Sequence, residues 1–485
     1  MGEISLGLSF DDVLLVPQMS EILPADTDLR TKVAAGIDLN IPILSSAMDT
    51  VTEAGLAIAL AREGGLGVIH RNNPVEVQAD MVARVKRSEN MVISDPFTVS
   101  ASTTLEELRR VMEEKGVNGF PVVDGGGHLE GMVTTRDIWQ VEDLSKTVSS
   151  VMTPKEKLVT GSVDTGQEEA CRILYQNRIE KLPLVDGGGK LVGLITGQDI
   201  EKRHKFINAA KDGEGRLRAG AAVGVGPDFL DRGLALVEAG VDALFIDAAT
   251  GHTSRVLEVI EKLREQSPHV PVIAGNVVTT QGAKDLVAAG VAAVKVGVGP
   301  GSICTTRVIA GVGVPQFTAI QQVAICCREK GVPLIADGGM RYSGDVVKAL
   351  AAGADVVMLG SLLAGTTESP GNTVNYQGRT FKEYRGMGSV KAMRQGSGDR
   401  YGQNASGKLV AEGVEGRVPY RGQLSETVFQ LMGGLRSGMG YIGAANLAEL
   451  REKACFTRIT SGGLKESHAH DIVITEEPIN YQSRT

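Results

Sequence analysis

The segment GVGPGSICTTR, residues 297–307, holds residue types from which covalent chemistry can be built. Cys304 supplies a thiol, Ser302, Thr305 and Thr306 supply hydroxyls, and Arg307 supplies a cation. Three glycines and a proline at 297–301 make a tight loop, because glycine admits positive φ and close backbone approach. The thiolate is the nucleophilic form of cysteine, and nearby cations and backbone N–H groups favour it. The local sequence fits a reactive cysteine and an inert loop thiol beside a structural turn equally well. Gly297-x-Gly299-x-Gly301 lacks the G-x-G-x-x-G spacing of a first βαβ unit. Any nicotinamide cofactor would therefore bind outside a Rossmann fold.

Other groups point to a phosphorylated ligand. Asp337-Gly338-Gly339 and Gly360-Ser361 each offer backbone N–H groups without bulky side chains, and Asp337 suits sugar hydroxyls. A nucleotide monophosphate or another phosphorylated small molecule fits both; plain turns are the alternative. Asp399-Arg400-Tyr401 combines an ion-pair candidate with an aromatic ring, or forms an ordinary surface turn. His468-Ala469-His470-Asp471 has metal-ligand types, but no cysteine and no third histidine in register. A solvated or subunit-contacting tail is the stronger reading. Cys326 and Cys327 read as packing residues on a helix, and Cys171 and Cys455 as structural.

These residues fall at the ends of apolar runs. Runs at 41–48, 65–70, 221–225, 243–247, 271–275, 292–297, 333–337 and 355–359 read as strands, with helical runs between them. Eight strand–helix units imply an α/β fold, a (β/α)8 TIM barrel, whose active site lies at the carboxyl ends of its strands. Two connections are too long for ordinary barrel loops. One carries Cys304; the other runs from Ser361 to about Gly440.

The rhythm breaks at 92–205. Residues 119–138, GFPVVDGGGHLEGMVTTRDI, recur at 181–200 as KLPLVDGGGKLVGLITGQDI, an internal duplication. Each copy, at about 95–143 and 152–205, reads as a helix followed by a β-hairpin. The duplicated α+β domain thus interrupts a barrel formed by 1–91 and 206–485.

Composition narrows the class. The chain has 485 residues, 42% hydrophobic and 22% charged, with a net charge of −8. That describes a multidomain globular protein without a basic footprint for nucleic acid. Five cysteines without a C-x-x-C pair suit reduced thiols and a cytoplasmic setting. No basic n-region precedes an apolar stretch, Leu6 breaks a myristoylation motif, and no run has membrane-spanning length.

The motifs LSFDDVLLVP, ILSSAMDTVTE, AGNVVT, GVGPGSICTTR, ADGGMRYSGD, MLGSLLAGT, YRGMGS, DRY, EGVEGRVPYRG and QLMGGLRSGMGYIGA together resemble the bacterial inosine-5′-monophosphate (IMP) dehydrogenase family over nearly the whole chain. The duplicated insertion resembles a tandem pair of cystathionine-β-synthase (CBS) domains. The resemblance implies NAD-dependent oxidation of IMP to XMP, the committed step of guanine nucleotide synthesis. It implies attack by Cys304, with Thr306, Arg400 and Tyr401 completing the catalytic set and a flap at about 380–422. It assigns IMP to Ser302, Asp337, Gly338, Gly339, Gly360, Ser361, Tyr384, Arg385, Gly386, Met387, Gly388 and Glu412. NAD falls to Asp247, Asn276, Gly297, Val298 and Gly299. Potassium falls to Gly299, Gly301 and Cys304, with Glu466, Ser467 and His468 of a neighbouring subunit.

Thr134, Asp137, Thr196 and Asp199 match a regulatory site for purine nucleotides, ATP or GTP. The family forms tetramers, and pairing into octamers stays open. Two alternatives remain. GMP reductase shares the cysteine loop, but usually lacks the insertion and the Arg-Tyr flap. A catalytically silent purine-nucleotide sensor would leave Cys304, Thr306 and Arg400 without purpose.

Overall fold

The computed structural model describes residues 4–89, 92–93, 96–197, 206–403 and 407–481. The chain divides into two compact units, Met1–Ser88 with Asn208–Thr485, and Glu89–Ile207.

The first unit is a closed barrel of eight parallel strands. In chain order these are β1 (Ile43–Ser45), β2 (Leu66–Ile69), β3 (Ala219–Val223), β4 (Ala243–Ile246), β5 (Val272–Val277), β6 (Ala293–Val296), β7 (Leu334–Asp337) and β8 (Val356–Leu359). Sequential strands pair, and β8 returns to β1 with Leu359 opposite Ser45. Helices α1 (Ala54–Arg62), α2 (Val75–Arg87), α3 (Phe229–Glu238), α4 (Ser254–Gln266), α5 (Thr280–Ala288), α6 (Gln316–Lys330) and α7 (Ser343–Ala351) follow the first seven strands.

The barrel strands are almost wholly buried because both faces are covered. Leu44, Val68, Phe245, Ile273, Ile335 and Met358 belong to one cluster with Val33, Ala34, Ile37 and Leu39. The last four come from a hairpin, Thr31–Ala34 with Ile37–Leu39, before β1. Thr253 and Thr279 cap α4 and α5 by accepting from Val256 N and Gly282 N.

The segment after β8 departs from the expected long loop to about Gly440. It forms a three-stranded antiparallel sheet, Thr373–Tyr376, Arg379–Arg385 and Glu415–Pro419, and then α8 (Leu424–Ile442), a helix of 19 residues. Glycines disguise that helix as a loop. The absence of Cβ at Gly438 allows α8 to approach α7, since a Cβ there would stand 2.7 Å from Val347 Cγ1. Leu424, Val428, Leu431, Leu435 and Met439 form its buried face at helical spacing.

In the second unit each hairpin recurs 62 residues on, Gly119–Val123 with Leu129–Thr134 and Lys181–Val185 with Leu191–Thr196. Asp124 and Asp186 close the turns by accepting from Gly126 N and Gly188 N at 2.8 and 2.9 Å. The copies are joined reciprocally: Leu129 N donates to Gly189 O, and Leu191 N to Gly127 O. Each has its own core, around Phe120 and Leu105 in one and Leu182 and Ile195 in the other.

Candidate active site

A cavity of about 360 Å³ opens at the carboxyl ends of the barrel strands. Cys304 and Ser302 reach it from the loop after β6, Asp337, Gly338 and Gly339 from β7, and Gly360 and Ser361 from β8. Asp247 follows β4, and Asn276 lies on β5. The segment between β8 and α8 contributes Tyr384, Gly386, Met387, Gly388, Arg400, Tyr401 and Glu412. Gly297, Gly299 and Gly301 complete the cysteine side. Residues far apart in sequence therefore meet around one space.

The cysteine loop is pinned to the flap. Cys304 pairs in a β-bridge with Gly413, and Thr305 N donates to Glu412 O at 2.9 Å. Cys304 Sγ lies 3.2 Å from Thr306 Oγ1 and 3.6 Å from Glu412 O. Arg307 is not a hydrogen-bonding partner of the thiol. Its guanidinium donates to Val298 O and Val314 O at 3.0 and 2.6 Å, bracing the loop. Cys326 and Cys327 are buried, and burial pushes the Cys327 thiol up to about 12. Cys455 is exposed, so a packing role for its thiol is not realised.

Beneath the cavity lies a polar cluster that the sequence reading missed. Lys295, only 4% exposed, donates to Asn276 Oδ1 and, at 3.2 Å, to Asp337 Oδ2. Asn276 Nδ2 donates to the same carboxylate oxygen at 2.9 Å and to Gly297 O at 2.6 Å. These bonds fix Asp337 and tie β5, β6 and β7 together. The signal was available, as Lys295 is the one charge inside the apolar run 291–298.

Charge docks the segment around Arg400 onto the barrel mouth. Arg400 forms an ion pair with Asp247, and Ala249 N donates to Arg400 O at 3.1 Å. Asp399 next to it accepts from Arg71 at 2.8 Å, and Arg71 Nε lies 3.5 Å from Asp247. Arg71, at the tip of β2, is a second residue that sequence reasoning missed. Burial opposes the charge on Asp247, but Arg400, Arg71 and Lys295 outweigh it and hold the carboxyl below its usual value. Burial likewise opposes the charge on Arg400, and Asp247 more than offsets it, raising the guanidinium above its ordinary value. Burial raises the Tyr401 phenol, with Arg400 acting against it. The Tyr401 ring packs where a Cβ on Gly388 would sit, 2.8 Å away, so only glycine fits there.

Several expected site residues lie elsewhere. Arg385 is not a cavity residue; it forms an ion pair with Asp49 at 2.5 Å and bonds Gln395 at 2.5 Å, anchoring the flap sheet. Val298 is buried and holds Arg307 through its carbonyl. Glu466, Ser467 and His468 do not line the cavity in the single chain. Ser467 caps back onto Gly463 O, and His468 packs between Tyr342 and Tyr481. In the second unit, Thr134 and Asp137 close a capping box, with Thr134 Oγ1 and N donating to Asp137 Oδ2 at 2.8 and 2.7 Å. Thr196 ends its strand, and Asp199 lies outside the described residues.

Comparison with known proteins agrees with this arrangement. Residues 7–470 match the family described as IMP dehydrogenase / GMP reductase domain. The inosine-5'-monophosphate dehydrogenase of Aquifex aeolicus is 58% identical over 482 residues, covering 99% of this chain and 98% of that protein. The Bacillus subtilis protein of the same name is 55% identical, covering 98% of each. A solved structure of a GMP reductase variant from Trypanosoma brucei, in complex with guanosine 5'-monophosphate, superposes with a TM-score of 0.88 at 39% identity. It covers 97% of this chain and 99% of that chain. Coverage of 97% leaves too few residues to omit the unit Glu89–Ile207, so the insertion does not separate reductase from dehydrogenase. A closed barrel, a flap docked over a loop cysteine and full-length identity above half agree: the chain belongs to the IMP dehydrogenase / GMP reductase family of oxidoreductases.

Proposed function

We propose that the protein oxidises IMP to XMP with NAD as hydride acceptor. The observation that carries this reading is the ion pair of Arg400 with Asp247. The carboxylate that the resemblance assigns to NAD is held by the flap's Arg400, beside Cys304 and the two phosphate-type loops. Such an arrangement suits a reaction in two halves, with cofactor and flap using one place in turn.

In the first half Cys304 gives up its thiol proton to solvent as Sγ bonds to C2 of the purine, and the hydride leaves that carbon. Gly338, Gly339, Gly360 and Ser361 hold the phosphate, and Asp337 holds the ribose. Tyr384, Gly386, Met387, Gly388 and Glu412 close over the base. Asp247 Oδ2 is sealed from solvent and accepts no hydrogen bond among the described residues, with only the Arg71 ion pair at 3.5 Å, which fits a carboxylate that takes ribose hydroxyls when Arg400 withdraws. NAD, when bound, accepts the hydride and leaves as NADH.

In the second half water attacks the Cys304 thioimidate, and XMP departs with the thiol restored. The atoms balance as IMP, NAD⁺ and water giving XMP, NADH and a proton. Arg400 is kept charged by Asp247 and so orients water and stabilises developing negative charge. Tyr401 or Thr306 takes a proton from the attacking water, and one returns to the departing sulfur, which lies 3.2 Å from Thr306 Oγ1.

Potassium fits the cysteine loop. Its ligands are backbone carbonyls in other proteins that select it, and among the described residues Gly301 O accepts only the turn bond from Cys304 N at 3.0 Å. Gly299, Gly301 and Cys304 would supply carbonyls, and the partner subunit's Glu466, Ser467 and His468 the rest, in a homotetramer. The ion would stiffen the loop that carries the nucleophile. The unit Glu89–Ile207 is assigned as the CBS pair, taking ATP or GTP at Thr134, Asp137, Thr196 and Asp199. Titration of either nucleotide into the IMP-saturated chain should release heat; none would remove this assignment. A cytoplasmic location goes with the same reading, and no described helix is long and apolar enough to cross a membrane.

The test is NADH formation from IMP and NAD with potassium present. NADPH-dependent deamination of GMP, without NADH from IMP, would favour the reductase reading instead. A mutation probes the flap. Asp399→Asn weakens the bond to Arg71, and a charge-assisted hydrogen bond is worth roughly 1.5–3 kcal/mol. The closed flap should lose population, raising apparent NAD affinity by about tenfold while turnover falls. Unchanged NAD affinity would mean that flap and cofactor do not compete.

A further inference from the structure

A second cavity, of about 260 Å³, lies beside the first, and Arg341 and Ser361 line both. Its lining contains two arginines, Arg341 and Arg421, and no aspartate or glutamate among the described residues. Arg341 already has a counter-ion in Asp11. Arg421 has none. Its Nε is sealed from solvent without a hydrogen-bond partner. Burial pulls its pKa below the ordinary arginine value, and no carboxylate offsets this. An arginine does not escape by losing its proton, and a desolvated charge without a partner is costly.

The other polar groups can each donate, through a hydroxyl or an amide NH2. Thr427 is 3% exposed, and its Oγ1 is sealed without a partner. Ser343, Gln430 and Asn480 also line the space. A guanidinium with hydroxyl and amide donors around it matches a tetrahedral oxyanion, which offers more acceptor sites than a carboxylate uses.

We propose that this cavity is an oxyanion site of the phosphate class, held by Arg421 and Thr427 and adjoining the catalytic cavity at Arg341 and Ser361. Its test rests on the reading that IMP fills the first cavity, and IMP binding measured first tells failure of that reading from failure of this one.

The test is titration of inorganic phosphate into the full chain saturated with IMP, which occupies the phosphate loops of the first cavity. The intact protein should bind one phosphate per chain. Arg421→Gln should weaken that binding at least tenfold, and Thr427→Val, which keeps the shape, several-fold. Thermal unfolding gives an independent readout. Without phosphate, Arg421→Gln should be at least as stable as the parent, having lost an unpaired charge. With phosphate, the parent alone should gain stability, because a ligand of the folded state stabilises it. No binding to the parent, or equal binding to Arg421→Gln, overturns the proposal. So does loss of assembly in that variant without any phosphate effect, which would assign the counter-ion to a carboxylate of another copy.

Discussion

Replacing Cys304 with alanine should abolish NADH formation, both in the first turnover and in the steady state. The loss should be on the order of 10⁴-fold or more, as expected when a covalent nucleophile is removed. The prediction rests on position. Cys304 is half-buried in the cavity, whereas Cys326 and Cys327 are buried on α6. The local fold should survive, because the loop is pinned by the bridge to Gly413 and by Arg307 on Val298 and Val314. IMP binding should therefore remain, and calorimetry on the variant checks that the loss is chemical. Substantial NADH from a correctly folded Cys304→Ala protein would remove the covalent route.

Arg400→Ala should separate the two halves of the reaction. Arg400 meets Asp247 only with the flap in place, so hydride transfer should proceed without it. A stopped-flow trace should show a burst of about one NADH per active site, followed by a steady rate lower by roughly 10²–10⁴-fold, the range for loss of a positioned acid–base group. The contact with Asp247 raises the guanidinium further from any pH at which it could act as a free base. Consequently no titration of Arg400 itself should appear in the pH profile of hydrolysis below about pH 12, where a free guanidinium begins to titrate. Loss of the burst together with turnover would place Arg400 in the first half as well.

The barrel was legible because each strand is an apolar run ending in a polar tip, and parallel strands buried on both faces read that way. Cys304, Asp337 and Ser361 follow from those tips. The helix α8 was hidden by glycines whose value appears only against α7. Arg71 was hidden differently. Its partner Asp399 lies 328 residues away, and no local pattern reports a latch closed over such a separation. Lys295 lies unremarked within the apolar run at 292–297, although a charge inside a barrel strand requires partners, here Asn276 and Asp337. Arg385 has a task that its motif does not report. A residue carried over by motif proves to serve the flap sheet through Asp49. Motifs assign residues to a neighbourhood; only geometry assigns their side chains to tasks.

The central claim is the covalent bond between Cys304 and the purine. Arg400→Ala enzyme, mixed with IMP and NAD and quenched after the burst, should carry that bond in an accumulated form. Mass spectrometry of its peptides should find the purine nucleotide on the segment containing Cys304, in equal amount to the NADH released. NADH released without an adduct, or an adduct on Cys171, Cys326, Cys327 or Cys455, would contradict the account.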